Sequence, residues 1–396
     1  MLLPQPPSSA EPPATRSLAR ATEADGTEQS PATDAGPALS SRLDFTTQDY
    51  LALGTHPVVR AAAFSVLGAA HPASLRADPT ASALEDRLAT FLQRPFAATF
   101  ATGTQAIRLT LGALLQPGDE VIVDCAACPA MADAVLDARA HLHCSPTGSV
   151  AGVERRLARL ARQPHRGRLF IAVPAISAHA ARMADLAELS ALSRAYKATL
   201  VVDATHDLGA LGPSGRGVTE IGGGVAHDCV LVGSLAKTFA AKAGFAAFSD
   251  PALKTALDAA RTDTPALSPV SASVILAAVG LISGPEGRRR RRKLHGLVLR
   301  LRNHLMADGI KVMGHPAPFV PILLPPDTAL PRTALLQSAG PRVSLLQPPV
   351  VPSHAPRWRI HLSAAHGPAD IDGLAELIRD VTRAFDRRAV RSGVIA

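Results

Sequence analysis

Aromatic residues are scarce in this chain, at 4% with one Trp and two Tyr, which argues against a protein that stacks bases on aromatic platforms. Cysteine is sparse too. Four in 396 residues do not make a disulfide framework, so a reducing compartment, the cytoplasm, is the simpler expectation. No run of eighteen apolar residues occurs, and no membrane span is expected. The opening MLLPQPPSSAEPP has neither a basic n-region nor a continuous apolar h-region, so the reading is a soluble protein without a secretory signal.

What is present is a 47% hydrophobic chain with 19% charged residues, enough for a large core and incompatible with wholesale disorder. Lys plus Arg number 41 against 33 Asp plus Glu, a formal charge of +8 that raises nucleic acid, membrane or anionic small molecules as partners. Six of those positive charges sit in one run, Arg288–Lys293, and the rest of the chain is close to neutral. On a helix such a run spreads around the circumference and reads first as a solvated face, second as a patch for an anionic ligand or a protein partner. No helix-turn-helix, finger or RNA-binding motif accompanies it, so no nucleic-acid partner is expected.

Residues 1–42 hold seven prolines and almost no apolar periodicity, and read as a disordered tail. From Leu43 the chain alternates apolar strands with amphipathic helices: a helix near 80–93, a strand at 96–101, a helix from about 104, then strands at 121–123, 168–173, 198–203 and 229–232. Continuous apolar strands alternating with helices predict an α/β domain with a large, mainly parallel sheet over 43–283. A helix near 284–307, further strands and a helix at about 369–386 predict a smaller C-terminal α+β domain over 284–386, with a tail at 387–396.

Four segments fall where strands end, which is where open α/β sheets bind ligands. Phe100-Ala101-Thr102-Gly103-Thr104-Gln105 precedes a helix, a pattern suited to phosphate. Val201-Val202-Asp203-Ala204-Thr205-His206 ends an apolar strand and leads into the glycine-rich Gly209–Gly217. Gly233-Ser234-Leu235-Ala236-Lys237-Thr238-Phe239 sets a lysine in a run of small residues, and Trp358-Arg359-Ile360-His361-Leu362-Ser363 buries an arginine in a strand pattern.

Together these segments resemble the α-oxoamine synthases, pyridoxal-phosphate enzymes of fold-type I. The likeness covers about 43–386, and the lysine segment looks most like the branch that makes α-aminoketone and α-hydroxyketone quorum-sensing signals. The resemblance implies pyridoxal 5'-phosphate as cofactor and a homodimer. It makes Lys237 the lysine that joins the cofactor aldehyde, since an amine is what forms that bond. Asp203 would pair with the pyridine nitrogen, and His206 would hydrogen-bond the phenolic oxygen. Thr102, Gly103, Thr104 and Ser234 would hold the phosphate, and Arg359 would clamp a substrate carboxylate. The implied reaction is a decarboxylating condensation of an α-amino acid with an acyl thioester, from acyl-CoA or an acyl-carrier protein, to an α-aminoketone. Another pyridoxal-phosphate reaction such as transamination, and a non-catalytic binding protein using Arg288–Lys293, are the competing readings.

The sequence departs from the family in four places. Cys128 stands where a ring-stacking histidine is usual, and Pro174-Ala175 replaces a Glu-Ser pair at a strand end. Ala204 follows Asp203 in place of glutamate, and His71–Arg76 replaces a glycine-rich stretch. Cys125-Ala126-Ala127-Cys128 with His141, His143 and Cys144 has zinc-like spacing, but the segment between reads as a helix and strand of the α/β unit, so buried thiols are the ordinary reading and no metal is expected.

Overall fold

The computed structural model describes residues 43–69, 79–163, 167–221 and 229–391. The tail expected at 1–42 and the His71–Arg76 departure lie outside them.

The continuous apolar strands serve two cores at once. In β1 (Phe96–Phe100), β2 (Glu120–Asp124), β3 (His141–Ser145), β4 (Leu169–Pro174), β5 (Thr199–Asp203), β6 (Val230–Ser234) and β7 (Gly244–Phe248), successive side chains alternate between the faces of one sheet. Ile122, Ile171, Leu200, Val202 and Leu231 pack into one core, while Val121, Val123, Phe170, Val201, Val230 and Val232 pack into the other. The strand order is β1-β7-β6-β5-β4-β2-β3. Strands β2 to β6 are mutually parallel and β7 runs antiparallel to both its neighbours. Strand β7, GFAAF, escapes a propensity reading because glycine and alanine are poor strand formers.

Covering helices fill the intervals: α1 (Pro57–Ala69), α2 (Pro79–Leu92), α3 (Gly103–Leu114), α4 (Pro129–Asp137), α5 (Val150–Ala161), α6 (Leu186–Ala195), α7 (Pro251–Arg261) and α8 (Pro269–Ser283). Gly284 then separates α8 from α9 (Pro285–Ala307), with Pro285 in the first turn where its missing N–H is harmless. Helix α10 (Ala329–Ser338) packs beside a second, three-stranded antiparallel sheet, and α11 (Pro368–Arg391) packs on α9 and α10. The order of this sheet is β8 (Phe319–Leu323), β10 (Arg357–His361), β9 (Ser344–Leu346). Trp358 is fully buried there, its indole N–H donating to Thr333 Oγ1 at 2.7 Å. The fold-type I architecture expected from the sequence is therefore present.

Two expectations need correction. Helix α11 runs to Arg391, past the tail start expected at 387, because no glycine or proline interrupts Arg387–Arg391. The basic run on α9 is not uniformly solvated: Arg291 is 6% exposed and Arg290 half-buried. Among the described residues no single helix is long and apolar enough to cross a membrane.

Candidate active site

Strand register brings three chain segments to one point. Phe100, Gly244 and Ser234 are paired across β1, β7 and β6, so the turn from β1 into α3 lies beside the end of β6. Thr102 caps α3, its Oγ1 accepting the Gln105 amide at 3.1 Å. That leaves the amides of Gly103 and Thr104 projecting from the helix N-terminus without intrahelical partners. The approach to β6 is close. A Cβ on Gly103 would lie 2.6 Å from Ser234 Cβ, so only glycine fits. Gly103→Ala should push the α3 N-terminus off Ser234 and weaken binding of a phosphorylated ligand by about tenfold or more, read by titration with pyridoxal phosphate; unchanged affinity would contradict it.

Asp203 ends β5 at 8% exposure, and its Oδ1 accepts the Thr205 amide at 3.0 Å. Burial raises its pKa above the carboxylate norm, opposed by the Thr205 hydrogen bonds and the nearby Lys237 charge. Thr205 Oγ1 in turn accepts the Ser234 amide at 2.9 Å, locking β5 to β6 just beyond their paired residues. Gly233 permits this junction: its φ is +149°, and a Cβ would stand 2.7 Å from Thr205 Oγ1 and 2.9 Å from Asp203 Oδ1.

Lys237 follows β6, and its Nζ donates to Gln48 Oε1 from the start of the described chain. Its carbonyl accepts the Tyr50 amide at 3.1 Å. Tyr50 Oη pairs with His206 Nδ1 at 3.1 Å, and the His206 ring meets Phe319 edge-on with centroids 5.3 Å apart. Burial, then the charges of Lys237 and Arg359, hold His206 well below the usual imidazole pKa, so it is neutral.

Strand β10 brings Arg359 and His361 to the same place. Period-2 alternation turns Trp358 and Ile360 into the core and sends Arg357, Arg359 and His361 to the opposite face. Arg359 is 6% exposed and donates to the Ala178 carbonyl at 3.4 Å. His361 is fully buried, stacks on Tyr50 at 6.0 Å and is held neutral by burial and the Arg359 and Lys237 charges. His179, on the β4 side, is pushed down to about 4 by burial with Arg359 and Arg357 beside it.

Thus Lys237, Asp203, His206 and Arg359, chosen from sequence, converge, with Thr102, Gly103, Thr104 and Ser234 forming a cradle at one end; the Thr104 side chain itself is exposed. Sequence reasoning missed Gln48, Tyr50, Thr205, His179 and His361. Thr205 and His361 lay inside quoted motifs, whereas nothing local marks Gln48 or Tyr50.

The departures are also located. Cys128 is the residue before α4, and its thiol is turned to the Asp203 carboxylate; burial and that negative charge push the thiol pKa up. Ala175 is fully buried at the end of β4, with no hydroxyl to offer, and its amide donates to the Asp203 carbonyl at 2.9 Å. Ala204 is 1% exposed and its amide donates to the Val232 carbonyl at 2.9 Å. The zinc-like set is split: His141 and His143 both pair with Glu120, while Cys128 faces Asp203. Among the described residues no group of three or more His, Cys, Asp or Glu is arranged to hold a metal.

Asp207, one residue past His206, is fully buried; Oδ2 accepts the Val218 amide at 2.7 Å and Oδ1 has no hydrogen-bond partner. Burial raises its pKa from 3.8 to about 7. The folded state therefore holds this proton more tightly than the unfolded chain, and stability from the protonated form is lost as pH rises from 3.8 through 7. Asp207→Asn removes the ionisation. Its stability advantage over the parent, measured by denaturant unfolding, should grow by about 3 kcal/mol between roughly pH 5 and 8. An advantage that does not change with pH would overturn this assignment.

The residues present fit pyridoxal phosphate on structural grounds. A buried carboxylate stands at one end, an amide cradle closed to any Cβ at the other, and a primary amine lies near both. Comparison with known proteins agrees. Residues 41–378 match the family model for aminotransferase class I and II. The 8-amino-7-oxononanoate synthase of Herminiimonas arsenicoxydans is 33% identical over 347 residues, covering 84% of this chain and 88% of that protein. That of Citrifermentans bemidjiense is 31% identical over 349 residues, covering 86% and 88%. Among solved structures, serine palmitoyltransferase of Sphingomonas wittichii superposes with a TM-score of 0.80 at 22% identity over 97% of each chain. The Francisella tularensis 8-amino-7-oxononanoate synthase gives 0.74 at 20% identity over 87% of this chain and 98% of that one. The chain belongs to the aminotransferase class I and II family, in its α-oxoamine synthase branch, and is a pyridoxal-phosphate-dependent enzyme.

Proposed function

We propose that this enzyme condenses an α-amino acid with an acyl thioester, releasing carbon dioxide and a free thiol and leaving an α-aminoketone. The observation that carries the reading is that the Lys237 amine, the Asp203 carboxylate, the His206 imidazole and the Arg359 guanidinium lie close enough for their charges to act on one another. Bound pyridoxal phosphate supplies the electron sink for the pair left at the amino acid Cα.

The protein's own groups then divide the work. The Gly103 and Thr104 amides, with Thr102 and Ser234, hold the phosphate at the positive end of α3. Asp203, locked by Thr205, fixes the pyridine nitrogen and its proton, and Cys128 lies beside that carboxylate. His206, neutral and oriented by Tyr50, donates from its free nitrogen to the phenolic oxygen. Arg359 holds the amino-acid carboxylate with its planar fork. Lys237 carries a proton to and from Cα at Nζ. The Cα–C bond to the acyl carbonyl forms, the C–S bond breaks, and the carboxylate leaves as carbon dioxide. The reading includes a homodimer in the cytoplasm using either CoA or a carrier protein as acyl donor.

The test is thiol release from an acyl-CoA panel in the presence of glycine, alanine, serine and longer amino acids. Release that requires one amino acid is expected. Conversion of an amino acid to its keto acid without thiol release would replace this reading with transamination, and neither product would leave a binding protein.

A further inference from the structure

The basic run Arg288–Lys293 is the sequence feature that the chemistry leaves unused, and its charges do not act as one patch. Arg289 is largely exposed and pairs with Glu286 at 2.6 Å. Arg290 pairs through Nε with Glu286 at 2.6 Å, then donates from one guanidinium nitrogen to two successive carbonyls, Leu51 at 2.8 Å and Ala52 at 3.1 Å. Lys293 donates to the Ala364 carbonyl at 2.7 Å, and buried Arg291 to those of Ile282 at 2.8 Å and Pro213 at 2.9 Å.

The segment under Arg290 carries Gln48 and Tyr50, which meet Lys237 Nζ and His206 Nδ1. It is a bent piece of chain: Ala52 has φ +53°, a left-handed conformation that disfavours a side chain, and the Asp49 carboxylate gathers the Leu53 and Gly54 amides at 3.0 and 2.8 Å. On its other side the segment bonds to the strand end that Lys293 holds. The Ala364 amide donates to the Tyr50 carbonyl at 2.8 Å, and Ser363 Oγ to the Asp49 carbonyl at 2.7 Å. Arg290 and Lys293, one helical turn apart on α9, therefore grip the two segments that flank the lysine.

We infer that Arg290 is a positioning residue of the active site, setting the geometry of Lys237 and His206 through Gln48 and Tyr50, with Lys293 bracing the same segment from the β10 side. The guanidinium is suited to this task because one planar group satisfies a carboxylate and two carbonyls together, which an ammonium on a flexible stem does less well. The groups facing Lys237 include Asp203 and His206 from β5 and its following turn, His361 from β10 and Gln48 from the braced segment. Gln48, and Tyr50 that pairs with His206, lie on the segment held by Arg290.

The inference rests on Lys237 being the cofactor lysine, so its test first reads cofactor capture, which is independent of the acyl-transfer reaction. Arg290→Met and Arg290→Lys are compared with Arg289→Met. The rate at which the visible band develops on adding pyridoxal phosphate is followed across pH, beside melting temperature. Arg290→Met should slow capture by roughly tenfold or more. It should also move the pH midpoint of capture downward, since an amine that loses its Gln48 acceptor gives up its proton at lower pH. Arg290→Lys should recover part of both, and Arg289→Met should match the parent. A lowered melting temperature with unchanged capture rate and midpoint would reduce Arg290 to a structural brace and overturn the inference. Equal slowing in Arg289→Met would overturn it in favour of a shared anion-binding face. Absence of any visible band in the parent protein would instead remove the assignment of Lys237.

Discussion

Lys237→Ala should give a folded protein that develops no visible band with added pyridoxal phosphate and turns over at least about a thousandfold more slowly than the parent. The size of the effect follows from two duties resting on one nitrogen. In the proposed reading Lys237 both anchors the cofactor aldehyde and moves the proton at Cα, and among the described residues it is the lysine whose charge reaches Asp203, His206 and His361. Its side chain is half-buried and its removal opens no core cavity, so stability should change little. Lys242→Ala, an exposed lysine in the same loop, is the matched control and should keep both the band and the activity. A visible band and activity persisting in Lys237→Ala would contradict the assignment.

Asp203→Asn should lower turnover by roughly a hundredfold to a thousandfold while leaving the visible band in place. The amide oxygen can still accept the Thr205 N–H that positions this side chain, so the shape of the β5 end is kept. What the substitution removes is the negative charge that, in the proposed reading, would keep the pyridine nitrogen protonated. The cofactor-free protein should respond in the opposite sense. Burial already raises the Asp203 pKa, so the folded state favours the neutral form, and stability falls as pH rises through that raised value. Asparagine is neutral throughout and should make the cofactor-free protein more resistant to denaturant at neutral pH. Activity down with stability up is a combination that a merely structural aspartate would not give.

Much of this site is legible from local pattern because parallel strands end where ligands bind. The run Leu200-Val201-Val202-Asp203 announces both the strand and the acid at its end, and Val230–Ser234 does the same ahead of Lys237. The cradle is legible for a similar reason, since Phe100–Gln105 sets small residues ahead of a helix, and the structure adds the Thr102 cap and the close approach at Gly103. Gln48 and Tyr50 were not legible. Tyr50 lies 156 residues from His206 and Gln48 lies 189 from Lys237, and each owes its place to hydrogen bonds made by backbone atoms, which side-chain pattern does not record.

The basic run misleads in a related way. Charge periodicity on a helix predicts a solvated face, but Arg291 is buried because carbonyls at Ile282 and Pro213 converge on its guanidinium. Gly215 leaves room for it, since a Cβ there would stand 2.7 Å from a guanidinium nitrogen. Those acceptors belong to other elements, so a reading of α9 alone cannot find them. His361 is similar: its strand pattern is plain, but its role as the ring stacked on Tyr50 depends on the approach of the 43–54 segment to β10.

Borohydride reduction of the pyridoxal-phosphate-loaded protein, followed by peptide mapping, tests the site most directly. Reduction fixes the cofactor to the amine that holds it. The expected result is a single pyridoxyl-modified peptide carrying the group on Lys237, absent from Lys237→Ala. Modification centred on any other lysine, or none above the level of a protein incubated without cofactor, would contradict the assignment.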